Sequence, residues 1–82
     1  MRLEADGMRG SQIEDGKAMI REMLSDGEWM DAGRAYSVLM SRGIGEYSAH
    51  RASIELRNKG VIEKRRNPAP KRRQCWQWRL IA

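Results

Sequence analysis

Phenylalanine is absent from this chain, and cysteine and histidine occur once each. A single thiol cannot close an internal disulfide, and one cysteine with one histidine cannot complete the usual zinc ligand set. Cys75 reads as an incidental thiol at an outward strand position, suited to a reducing compartment. No run reaches the roughly 18 apolar residues of a membrane span, so no membrane association is expected. The opening MRLEADGMRG lacks the apolar centre of a secretory signal, which points to the cytoplasm. A Gly-rich phosphate loop, a nucleophile motif and a metal-ligand set are also missing. Neither enzymatic activity nor a cofactor or metal is expected.

One further scarcity is regional. All eleven acidic residues lie at or before Glu63. From there on the chain carries Lys64, Arg65, Arg66, Lys71, Arg72, Arg73 and Arg79, a charge of +7, whereas residues 1–63 sum to −2. The formal net charge of +5 is therefore concentrated in the last quarter. Such a basic block with no acid suits a polyanion. A solvated tail is the plainer reading of a basic run, but here a strand pattern follows at once.

What remains is enough for one small domain. The 82 residues are 40% hydrophobic, and three Trp and six Met carry the bulky packing. A chain of this length buries only about 60–65% of the surface its unfolded form exposes, so its core is small.

Residues 1–10 have two glycines, mixed charge and no period, and read as a flexible N-terminal arm. SQIE at 11–14 has the form of a capping box. Ile13, Ile20 and Leu24 follow on one helical face, with Met23 beside them and Lys17 at the edge. This helix stops at SDG, 25–27. EWM, 28–30, is a short extended piece, and Trp29 there reads as a core or hairpin contact. Asp31 is a suitable N-cap for a second helix carrying Ala35, Val38 and Leu39, which Gly43 ends. A third helix runs from about Glu46 to Lys59, before Gly60. At 100° per residue its small apolar side gathers Ala49, Ala52, Ser53 and Leu56. The opposite side carries Tyr47, Arg51, Ile54 and Asn58, with His50 at its flank. VIEKRR, 61–66, is a strand, NPAP marks a turn, and QCWQWRLI, 74–81, alternates with Trp76, Trp78 and Leu80 inward. The Trp pair could stack on nucleobases, but with no Phe in the chain core packing is the preferred role for both rings.

Helix, short strand, helix, tight turn, helix and two-stranded hairpin, in that order over about residues 11–81, resemble the winged helix-turn-helix fold. The expected class is α+β: three helices, a short strand and a C-terminal two-stranded β-hairpin wing, with 11–82 as the domain. The local likeness is strongest in GIGEYSAHRASIELRNKGVIEKRR, 43–66. The closing WQWRL is similar to the end of small winged-helix modules of phages and mobile elements. Gly45 stands where such modules often have a Ser or Thr cap, and Ala49 where a larger Val or Ile is common.

The resemblance implies sequence-specific binding of double-stranded DNA, as a transcriptional regulator or an excisionase-like architectural protein. The third helix would enter the major groove, with Tyr47, His50, Arg51, Ile54 and Asn58 facing base edges or flanking phosphates. Arg51 would suit guanine, Asn58 adenine and Ile54 a thymine methyl. Lys64, Arg65, Arg66, Lys71, Arg72 and Arg73 of the wing would grip phosphates. A rival role for Tyr47 and Ile54 is a homodimer seam or a protein-binding stripe. The competing function is a winged-helix interaction module that docks a protein without reading DNA, since fold does not set function.

Overall fold

A computed structural model describes residues 2–66 and 76–81. The elements run α1 (Arg2–Met23), β1 (Met30–Asp31), α2 (Ala32–Ser41), α3 (Glu46–Asn58), β2 (Ile62–Arg66) and β3 (Trp76–Leu80). The architecture is α+β, with α1 packed on α3 and α2, and α2 and α3 against a small antiparallel sheet of strand order β1-β3-β2. The connection at 67–75, including the NPAP turn and Cys75, lies outside the described residues.

The first helix begins well before Ser11, so the SQIE box lies inside it and caps nothing. Leu3, Glu4, Ala5, Met8 and Arg9 are good helix formers, and their summed preference outweighs Gly7 and Gly10. The backbone of the segment read as an arm is helical from Arg2.

Gly43 and Gly60 stop α2 and α3 by the same device. Both have positive φ, 90° and 73°. The Gly43 and Ile44 amides donate to the carbonyls of Met40 and Leu39, and those of Gly60 and Val61 to Arg57 and Leu56. These are two Schellman motifs, each with an apolar residue just past the glycine folded back towards the helix. The first makes the turn between α2 and α3 very short. Gln12 of α1 clamps that turn: its Nε2 donates to the Gly43 carbonyl at 3.4 Å. Its Oε1 accepts from the Gly45 amide at 3.3 Å and the Ser48 hydroxyl at 3.2 Å. Gly45 has no side chain with which to cap α3, so Gln12 satisfies an N-terminal amide from across the fold.

The core holds Ile20 of α1 and Leu24 just past its end, Ala32, Ala35 and Leu39 of α2, and Ala49, Ala52 and Leu56 of α3. Ile44, Ile62 and Trp78 complete it from the turn and the sheet. The small-residue side of α3 is thus the buried one, and it lets α1 come close. Gly16 sits at the crossing, where a Cβ would lie 3.2 Å from the Cβ of Ala52.

Three placements differ from expectation. Lys17 is buried between α1 and α3 instead of lying at an edge, its side chain only 11% exposed. Asp31 occupies the N-cap of α2 but makes no side-chain cap bond. Its Oδ1 accepts from Gln77 Nε2 at 3.3 Å, tying β1 to β3. Trp76 lies on the same sheet face as Trp78, as the alternation requires, yet it is 39% exposed against 2% for Trp78. Its cross-strand neighbours on that face, Lys64 and Arg66, are exposed too. The buried layer ends at Ile62 and Trp78, so Trp76 overruns the core.

Candidate nucleic-acid interface

Two elements present the residues that matter. The first is the outer side of α3. Tyr47, His50, Arg51 and Asn58 are exposed there and Ile54 is half-buried. The side opposite Ala49, Ala52 and Leu56 is consequently a continuous, mixed polar and apolar strip. The second is the β2–β3 pair beside the C-terminal end of α3, joined to it by the Schellman motif at Gly60.

The two flanks of the α3 strip are held differently. Arg51 reaches Glu55 one turn on, Nη2 to Oε2 at 3.4 Å. Glu55 is itself bound by Lys17 at 2.6 Å, and Lys17 also pairs with Glu14 at 2.8 Å. The hydrogen bond from Lys17 holds the Glu55 pKa below its ordinary value, and those to Glu14 and then Glu55 raise that of Lys17. Arg51 is therefore lightly tethered to a carboxylate that is firmly committed elsewhere. On the other flank, His50 Nδ1 lies 3.2 Å from the Tyr36 hydroxyl, which lies 3.4 Å from Ser53 Oγ. Ser53 donates to the His50 carbonyl at 2.8 Å. Every member is satisfied when His50 Nδ1–H donates to Tyr36 and Tyr36 to Ser53, leaving His50 Nε2 as an acceptor. The Tyr36 ring packs edge-on against Trp78, centroids 5.2 Å apart. His50 is thereby anchored through Tyr36 to the core.

Between α2 and the start of α3 lies an open groove of about 590 Å³, lined by Tyr36, Met40, Glu46, Tyr47 and His50. Met40 and Tyr47 are exposed at its rim, 47% and 61%.

The basic side chains of β2 alternate between two sheet faces, as any strand must. Arg65 points to the outer face. Its guanidinium stacks on Trp29 at 4.1 Å, and its Nε donates to Gln77 Oε1 at 2.9 Å. Arg79 covers the same ring at 4.5 Å and forms an ion pair with Glu63 at 2.7 Å. Trp29 is thus a hairpin contact, held by two guanidiniums. Arg65 is half-buried in this layer.

Lys64 and Arg66 point to the other face, with Lys64 Nζ 4.1 Å and Arg66 Cζ 5.4 Å from the centroid of the Trp76 ring. Partial burial of its ammonium, and then the charge of Arg57, hold the Lys64 pKa below its ordinary value, although the side chain as a whole is exposed. Arg57 of α3 and Lys64 of β2 are therefore like charges brought into mutual range by the fold. No ion pair engages Arg57, Lys64 or Arg66 among the described residues. Lys71, Arg72 and Arg73 lie outside the described residues.

Arg57 was not among the expected site residues. At 100° per residue it sits about 60° from Ile54, as far to one side as Arg51 to the other, so the helical wheel alone could have included it. Tyr36 and Gln12 had no such signal, because their partners lie across the fold. Comparison of the chain with protein-family models, with curated proteins and with solved structures finds no match.

Proposed function

We propose that this chain is a winged helix that binds double-stranded DNA, with α3 in the major groove and the β2–β3 wing along the phosphate backbone. The observation that carries this reading is the clustering of Arg57, Lys64 and Arg66, from two elements, beside the exposed strip of α3. Like charges held together, with no ion pair among the described residues, raise each other's free energy, and a row of phosphates would relieve them. The strip carries the side-chain types that read base edges. Arg51 suits guanine, Asn58 suits adenine, and Ile54 suits a thymine methyl. Phosphate contacts by the wing would supply affinity and register, and the strip the sequence preference. A small transcriptional regulator or architectural DNA-bending protein uses such an arrangement.

The test is a salt-titrated binding assay on random-sequence duplex, followed by selection of preferred sites. The expected result is an affinity that falls steeply as salt rises, then a selected motif a few base pairs long. Absence of duplex binding at low salt overturns the reading. A second reading then takes its place, favoured by the groove with exposed Met40 and Tyr47 at its rim: an interaction module for a protein partner or a second copy of the chain.

A further inference from the structure

Trp76 is an anomaly within the sheet. Strand alternation places it on the face that builds the core, yet it projects past the buried layer and keeps 39% exposure. Among the described residues two cations lie over its ring, Lys64 at 4.1 Å and Arg66 at 5.4 Å from the centroid. Arg66 is its direct cross-strand partner, and Lys64 is the partner of Trp78, one pleat further along. An exposed cation–π pair is worth only about 0.5–1 kcal/mol, so either cation leaves the ring readily for a phosphate. For Lys64 the exchange is favoured further, because the ammonium is disfavoured where it stands, by partial burial and by Arg57. Once the cations move, the ring is an apolar plate flanked by phosphate-bound charges. That is how proteins bind bases that are out of the stack: aromatic faces for the bases and cations for the backbone. It also serves the aromatic and aliphatic wedges that enter weakened base steps.

We propose that Trp76 is a nucleotide-stacking residue, its ring taking an unpaired or unstacked base while Lys64 and Arg66 engage the phosphates on either side. This rests on the DNA-binding reading and adds to it a preference for duplex whose stacking is locally broken.

The test uses the full chain and two duplexes of one sequence, intact and with a single-base bulge. The parent protein should bind the bulged duplex roughly 5- to 100-fold more tightly, the worth of one stacked base. Trp76→Leu should bind both equally. It should keep its affinity for intact duplex within about threefold, with an unchanged salt slope, because phosphate contacts remain. Trp76→Phe should retain most of the preference, which a purely structural role for the indole would not predict. A parent protein with no preference for the bulge, or a Trp76→Leu variant that keeps it, overturns the stacking role while leaving DNA binding intact. A parent protein that binds neither duplex overturns the DNA reading itself and the stacking role with it.

Discussion

Gly16 of α1 faces Ala52 of α3 so closely that a Cβ on the glycine would lie 3.2 Å from the Ala52 methyl and 3.7 Å from Ile44 Cγ2. Both atoms nearest the missing Cβ belong to buried residues. The crossing of α1 and α3 is therefore set by a hydrogen against a methyl, and it fixes how far α3 stands out from the body of the protein.

That contact makes substitution at Gly16 a contest between two terms. Alanine should gain about 1 kcal/mol of helix propensity, but two rigidly held methyls at that spacing push the helices apart by a few tenths of an ångström. Gly16→Ala should remain within about 1 kcal/mol of the parent, since the gain is cancelled. Gly16→Leu has no compensation and should lose about 1–3 kcal/mol or more. Urea unfolding of the three proteins measures this; a Gly16→Leu protein as stable as the parent would show that the helices cross elsewhere.

The two tryptophans of β3 should behave oppositely. Trp78 is 2% exposed and its ring meets Tyr36 edge-on. Trp78→Ala should cost about 3–5 kcal/mol, close to the whole stability of so small a domain. Trp76→Ala should cost only about 1–2 kcal/mol, the worth of two exposed cation–π pairs. Thermal unfolding followed by far-UV circular dichroism separates them, and equal losses would refute the placement of Trp76 beyond the core.

The Lys17–Glu55 pair links stability to pH at both extremes. Glu55 has its folded pKa lowered from 4.5, mainly by the hydrogen bond from Lys17. Its stabilisation is present above the unfolded value and is lost as pH falls through the lowered one. Lys17 has its folded pKa raised from 10.5 by its bonds to Glu14 and Glu55. Its contribution is present below the unfolded value and disappears as pH rises through the raised one. Denaturant midpoints measured across pH for the parent and Glu55→Gln should converge towards the acid end, as the parent loses what the variant never had. Parallel curves below about pH 4.5 would show that Glu55 is not the group responsible.

On the proposed DNA-binding reading, the salt dependence of binding assigns the charges. If Arg57, Lys64 and Arg66 each neutralise one phosphate, they contribute about −2.7 to the slope of log affinity against log salt, at about −0.9 per contact. The triple substitution to Gln should flatten the slope by that amount and weaken binding to cognate and random duplex alike, with base preference kept. An unchanged slope would move the backbone contacts to residues 71–73.

Much of the architecture was legible because it rests on local terms. The ends of α2 and α3 follow from Gly43 and Gly60, whose positive φ other residues resist. The buried side of α3 follows from the 100° step that groups Ala49, Ala52, Ser53 and Leu56. The strands follow from β-branched and alternating residues at 61–66 and 76–80. The exposed strip of Tyr47, Arg51, Ile54 and Asn58 is the other side of the same wheel. Where two local signals competed, at residues 2–14, the capping pattern at Ser11 lost to helix propensity summed over the preceding turns.

The remainder needed the folded chain, for a physical reason. Periodicity tells which face a residue occupies but not where that face stops being covered, so Trp78 and Trp76 look alike in sequence and differ in burial. Charge counting shows that residues 64–66 are basic, but only strand pairing and the position of α3 divide them. Arg65 is turned to Trp29 and Gln77, while Lys64 and Arg66 stand on the face where Arg57 comes into range. Lys17 looked like an edge residue until α3 brought Glu55 to it. The clamp by Gln12 and the anchoring of His50 by Tyr36 likewise join residues far apart in the chain. Local sequence carries the preferences of each segment; which side chains meet, and which like charges are brought into range of one another, is decided only when the segments pack.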